Sequence, residues 1–252
     1  MKINKLYKNL IYPIISLGIL FLIWFVMAKI VDIELIVPSI SSTFKGLFAL
    51  CIKKDFYLAI LGTLYRTIVS FLLAFVMAII LAVLSAFLPF IYKLLSPIVT
   101  IIRAIPTMSL ILLTIIWLNS NTSPLLVGFV IVFPIMYGSF YTSITSIDND
   151  LIQMSKAYNV KKKDMIFSLY LPNIAPSFFD SLRSTISLNV KIIISAEVLA
   201  QTKESMGVMM QISKAQLDTA NLLAWTLVAI VLSYLLEMLV YFIKKLTIRW
   251  EK

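Results

Sequence analysis

Four ionisable side chains interrupt otherwise apolar runs: Arg103, Lys191, Glu197 and Glu237. A charge held in hydrocarbon is costly, so such a group reaches water, finds a counter-ion or lines a polar path. Arg103 stands three residues before Pro106. There it either snorkels to headgroups or meets a carboxylate at an inner gate. Lys191 and Glu197 are six apart on one run, so they are not stacked helical neighbours. Lys191 therefore either attracts an anion or neutralises Glu197 or Glu237. Glu237 lies near the end of its run, within reach of water. These four charges and Pro106 are the candidates for a path or its gates.

No other chemistry is on offer. The chain has no histidine, which removes His metal sites, Ser-His-Asp triads and His proton relays. Cys51 is alone, so no intrachain disulfide or thiolate metal cluster can form. No G-x-x-x-x-G-K-[ST] cradle is present, so ATP is not expected on this chain. Catalytic residues, metal and cofactors are all expected to be none.

The elements that must position those charges are set by composition. Of 252 residues, 61% are hydrophobic and 13% charged, with mean hydropathy +0.99. Soluble domains are about 45–50% apolar and about 25% charged. A water-soluble chain of this size cannot hide so much apolar surface, and disordered chains are polar. The solvent is therefore a bilayer, and roughly 20 residues make one helical span. Six spans are read, at about 9–30, 62–88, 94–118, 124–146, 182–202 and 222–243. Residues 104–147 are uncharged throughout. That is too long for one span, and Asn119-Ser120-Asn121-Thr122-Ser123-Pro124 supplies the turn that splits it. The whole chain reads as one all-α membrane domain.

The net charge of +10 is assigned to cationic loops on the cytoplasmic side rather than to nucleic acid. With both termini inside, the inner segments hold thirteen Lys/Arg and the outer segments five. Trp24, Trp117, Trp225 and Trp250 fall near span ends and are expected to anchor at the interface. Residues 31–57 form the longest outer segment. Its Pro38-Ser39-Ile40-Ser41-Ser42 start predicts a capped amphipathic helix lying on the membrane. Ser70, Ala74, Ala78, Ala82 and Ala86 repeat every fourth position in the second span. Such a stripe lets helix backbones approach closely, against another span or a partner subunit.

The inner loop 148–172 has helical pattern of its own. Asp148 or Asp150 can cap a short helix over 151–158. Asn159 then suits a left-handed turn, and a second helix runs over 161–170, where Leu171-Pro172 ends it or starts the next. The first helix offers Leu151, Ile152, Met154, Ser155 and Tyr158 to its surroundings. By pattern alone it is either packed on its own bundle or a knob for a cytoplasmic partner.

This loop resembles the coupling motif of ABC-importer permeases, E-A-A, three residues, G, nine residues, I, one residue, L-P. Gln153-Met154-Ser155 stand at E-A-A, Asn159 at the Gly, Leu169 at the Ile and Leu171-Pro172 at L-P. Gln for Glu and Asn for Gly are departures that keep the helix and the turn type. IIRAIPTMSLILLTIIWLNS is similar to the Arg-x-x-Pro stretch of permeases for nitrate, sulfonate, taurine, riboflavin and thiamine-precursor importers. ISAEVLAQTKESMGVMM is similar to their Glu-bearing fifth span and Gly-Leu-Gly-type segment, and the closing RWEK also fits. The resemblance covers roughly residues 35–250.

It implies a type I ABC importer permease fold with cytoplasmic coupling helices, in a bacterial inner membrane. It also implies partners: a second permease subunit, identical or not; a cytoplasmic ATPase dimer carrying ATP and Mg; and an external substrate-binding protein. The expected function is a translocation path for a small organic solute that is sulfonate-, nitrate- or vitamin-precursor-like. An ion-gradient-driven secondary transporter is the alternative. That class usually shows more spans, internal repeats and several buried carboxylates. A membrane-embedded enzyme is disfavoured by the empty catalytic inventory.

Overall fold

The computed structural model describes residues 2–248, with the side chains of 11–161 and 163–248. Arg249, Trp250 and Lys252 lie outside the described residues. All described elements are helical. They run α1 Lys2–Val31, α2 Ile40–Cys51, α3 Lys54–Phe87, α4 Pro89–Ala104, α5 Thr107–Trp117, α6 Ser123–Thr145, α7 Asn149–Ala157, α8 Lys162–Met165, α9 Leu171–Ala200, α10 Met206–Ala215 and α11 Thr219–Thr247.

Among the described residues, α1 from Ile11, α3, α6 and α11 are long and apolar enough to cross a membrane. The bent pair α4 and α5 makes a fifth if counted as one span. The run 94–118 is therefore not the single straight span that its apolarity predicts. It breaks at Ile105-Pro106, and the two halves meet at 96°. Pro106 has no N–H to continue a helix, and the residue before a proline is driven to extended backbone. Ile105 duly has φ −67° and ψ 125°.

α9 is long enough to span, at about 45 Å for its 30 residues, but carries Asp180, Arg183, Lys191 and Glu197. It starts well before position 182. Leu171-Pro172 does not stop the preceding helix, because a π-helical turn, Ile166–Tyr170, joins α8 to α9. A proline ring clashes with the carbonyl four residues back, and the wider turn relieves that clash. Asn173 Nδ2 donates to the Leu169 carbonyl at 2.7 Å, which satisfies one acceptor there.

The chain divides into two compact units, Met1–Tyr57 with Met209–Val228, and Leu58–Val208 with Ala229–Lys252. In the first, Ser39 caps α2 by accepting from Ser42 N at 3.1 Å, as its sequence predicts. Trp225 is 2% exposed and packs on Phe56 with ring centroids 5.1 Å apart. It is a core residue, not an interfacial anchor. Trp24 Nε1 donates to the Pro38 carbonyl at 3.0 Å, whereas Trp117 is 66% exposed.

In the second unit, α6 lies against α9, α5 and α4. Phe75, Phe140 and Phe178 cluster between α3, α6 and α9. Ser70, Ala74, Ala78 and Ala82 on α3 are fully buried, and Ala86 is half-buried. That face is therefore occupied within this chain. Ser85 beside it bonds Tyr137 of α6 at 2.9 Å. Ala78→Leu adds three carbons where no space exists, and overpacking of this kind costs about 1–3 kcal/mol. The expected result is a lower melting temperature of the detergent-purified protein, read by thermal aggregation, with Ala86→Leu milder.

Candidate functional site

α9 presents two faces of different character. Its buried face holds Glu197, which is completely enclosed. One carboxylate oxygen accepts from Arg66 Nη1 at 3.0 Å. The other accepts from Thr63 Oγ1 at 2.9 Å and from Gly207 N at 3.2 Å. Arg66 Nη2 also donates to the Lys203 carbonyl at 3.0 Å. Thr63 Oγ1 accepts from Met206 N at 2.9 Å, and Ser205 Oγ accepts from Val208 N at 3.1 Å. The carboxylate thus sits at the N-terminus of α10, where free N–H groups favour negative charge. Three elements, α3, α9 and α10, are tied by one paired and hydrogen-bonded charge.

Glycines let these elements close up. A Cβ at Gly207 would lie 2.5 Å from Glu197 Cβ and 2.7 Å from the Ile194 carbonyl, and one at Gly62 would collide with the Glu204 carbonyl. Deeper along α9, Asn189 Nδ2 donates to the Thr67 carbonyl and to Ser70 Oγ, each at 2.9 Å.

Arg66 is the partner that sequence reasoning left unassigned. It sits inside the second span, and a buried glutamate elsewhere requires such a cation. The expectation that Lys191 neutralises Glu197 or Glu237 does not hold. Arg66 takes Glu197, and Arg183 takes Glu237 at 3.5 Å. Glu237 is accordingly an ion-pair partner between α9 and α11, joined there by Lys244 and Asp180 at 3.0 Å. Among the described residues Arg103 meets no carboxylate either. Its guanidinium donates to the Pro134 carbonyl and lies over Gly138, where a Cβ would strike it. Pro106 is exposed at the α4–α5 break.

The other face of α9 is exposed and polar. Ser177, Asp180, Ser184, Lys191 and Ser195 are exposed, and Ser187 is half-buried. Their spacing of three and four residues puts all six within about 40° either side of Lys191. The sequence carries this pattern in plain view, but it is hidden among the apolar residues of the opposite face. Lys191 makes no hydrogen bond or ion pair among the described residues.

At the start of this arm, Asp148 caps α7 by accepting from Asp150 N at 2.9 Å. No residue of α7 is buried. Leu151, Met154 and Tyr158 are exposed, with Ile152 and Ser155 half-buried and Gln153 exposed. Asn159 has φ 52°. Asn159 N donates to Lys156 O and Val160 N to Ser155 O, both at 3.0 Å, which is the Schellman closure of a helix. Left-handed backbone costs a Cβ-bearing residue about 1–2 kcal/mol, less for Asn. Asn159→Ala is expected to speed protease cleavage between α7 and α8 severalfold, whereas Asn159→Gly leaves it unchanged or slower.

Several apolar membrane-length helices, a charged and polar face on α9 and an exposed helical knob define a polytopic transport subunit. More particularly, the chain belongs to the family of binding-protein-dependent transport system inner membrane components, whose model matches residues 74–250. It is an inner-membrane permease of the ABC importer class. It is 24% identical over 151 residues to the taurine transport system permease protein TauC of Escherichia coli (strain K12), covering 60% of this chain and 54% of that one. It is 25% identical over 149 residues to the nitrate import permease protein NrtB of Synechococcus elongatus, covering 58% and 53%. The chain therefore spans little more than half the length of these relatives. Its fold is similar to that in an inward-facing structure of the MetNI methionine ABC transporter, with TM-score 0.61, 18% identity, and 74% and 93% of the two chains covered. A second crystal form gives TM-score 0.63 at 17% identity.

Proposed function

We propose that this chain forms, with a second permease subunit, the translocation path of an importer for a small oxyanion-bearing solute. The observation that carries the reading is α7. A short helix with no buried residue, closed tightly at Asn159, leads through α8 and a π turn into α9. An exposed apolar knob on a helical stem suits insertion into a cleft of a cytoplasmic ATPase. The chain has no phosphate cradle of its own, so the reading makes it non-catalytic, with ATP and Mg on that partner. An external binding protein delivers the solute. α9 serves as the fifth span and brings the total to six despite its charges, because its exposed polar side faces the path. Both termini and α7 then lie in the cytoplasm, in agreement with the distribution of Lys and Arg. Relatives named for taurine and nitrate support an oxyanion substrate.

The test is uptake into proteoliposomes holding this chain, a cognate ABC ATPase and a cognate binding protein. Taurine and nitrate are the first solutes to try. Uptake should require both ATP inside the ATPase compartment and the binding protein. Uptake driven by a sodium or proton gradient without ATP would replace this reading with that of a secondary transporter.

A further inference from the structure

The exposed stripe of α9 extends from Ser177 to Ser195. At 1.5 Å per residue that is about 27 Å, close to the roughly 30 Å of a bilayer's hydrocarbon. A lipid-facing surface does not carry hydroxyls and an ammonium along its whole length. Within the stripe, Ser177 Oγ lies 3.0 Å from both the Ile174 carbonyl and Ser143 Oγ of α6, and two further hydroxyls turn onto the helix itself. Ser184 Oγ donates to Ser181 O at 3.1 Å and Ser195 Oγ to Lys191 O at 2.9 Å. Asp180 is engaged by Lys244, and Arg183 beside the stripe by Glu237. Lys191 is the charge on this face that the described residues leave without a partner.

We propose that this face lines a water-filled path and that Lys191, about 21 Å along it from Ser177 and about 6 Å from Ser195, selects negatively charged solutes. The proposal rests on the permease reading and adds to it a specificity residue with a stated preference. Lipid cannot occupy the face without stranding the ammonium. A second copy closing on it by two-fold symmetry would bring two Lys191 ammoniums together, which is unfavourable without an anion between them. An anion passing between two copies meets a positive charge from each.

The test uses the assembled transporter in membrane vesicles, with Cys51→Ala to remove the native thiol. Ser184→Cys and Ser187→Cys report on the stripe, and Leu72→Cys, 52% exposed on α3, reports on lipid. The probes are sulfonatoethyl methanethiosulfonate, an anion, and trimethylammonioethyl methanethiosulfonate, a cation, each normalised to its rate with free cysteine. Both stripe cysteines should react much faster than the lipid control, and Ser187→Cys should prefer the anion. Lys191→Gln should reduce that preference about tenfold, the size of effect one nearby charge has in a partly aqueous site, and Lys191→Arg should keep it. Stripe thiols as slow as Leu72→Cys would mean that lipid or a second copy covers the face, and the proposal fails. An anion preference unchanged by Lys191→Gln would remove Lys191 from selection. Labelling needs no uptake, so a failed transport assay overturns the permease reading and leaves these rates to be judged separately.

Discussion

A Glu197→Ala variant is expected to lose most of its correctly folded population. Glu197 is the acceptor for Arg66, Thr63 and the N-terminus of α10. Removing it leaves the Arg66 guanidinium buried beside α9 without its counter-charge. Breaking a buried pair from one side costs about 3–5 kcal/mol, a large part of a typical domain's stability. The measurement is the monodisperse fraction after detergent extraction, with uptake in parallel. Glu197→Gln keeps the shape but only one acceptor oxygen, so the bonds to one carboxylate oxygen survive and the charge does not, and it should lose less than Glu197→Ala. The double change Glu197→Leu with Arg66→Met removes both charges and should recover part of the folded yield, since a pair of well-packed apolar residues can equal a buried ion pair. A single Glu197→Ala variant with wild-type yield and uptake would show that the clamp is dispensable.

The second large effect is expected at α7, and it should be of the opposite kind. Ile152→Ala with Met154→Glu alters a helix with no buried residue, where Met154 is exposed and Ile152 half-buried. Folding and membrane level should therefore be unchanged. If α7 is the ATPase contact, the change removes an apolar anchor and puts a carboxylate in its place. Interface anchors of this sort are worth about 2 kcal/mol or more, roughly thirtyfold in affinity. ATP-driven uptake should fall by more than about tenfold while the protein remains in the membrane. Uptake near wild type would move the coupling contact elsewhere.

The contrast between these variants shows what was legible in the sequence. The helical class and the membrane setting follow from composition, and α2 and α7 follow from Ser39, Asp148 and Asn159, whose capping roles are local. The break at Pro106 was half legible. The proline is visible, but apolarity alone ran the span through it to residue 118, and periodicity carries no information about a 96° bend. The charge pairs were not legible. Glu197 and Arg66 are 131 positions apart, and nothing local to either says which of several cations faces it. Lys191, nearer along the chain, was the natural partner by position. It fails because six residues place it well round α9 from Glu197. The polar stripe is the reverse case, a purely local pattern of serines spaced three and four apart that the apolar residues between them mask in any average of hydrophobicity.

The π turn before α9 has a mechanical consequence. The helix beyond it is a rod of about 45 Å, whose backbone hydrogen bonds run unbroken by proline after Pro176. Displacement applied at the α7 end has two outlets. It swings the rod as a whole, or it is absorbed by winding and unwinding of the one wide turn. A swing of about 10° carries the far end of such a rod roughly 8 Å, enough to open or shut a passage. The compliance of five residues, Ile166–Tyr170, therefore sets the gain of the lever.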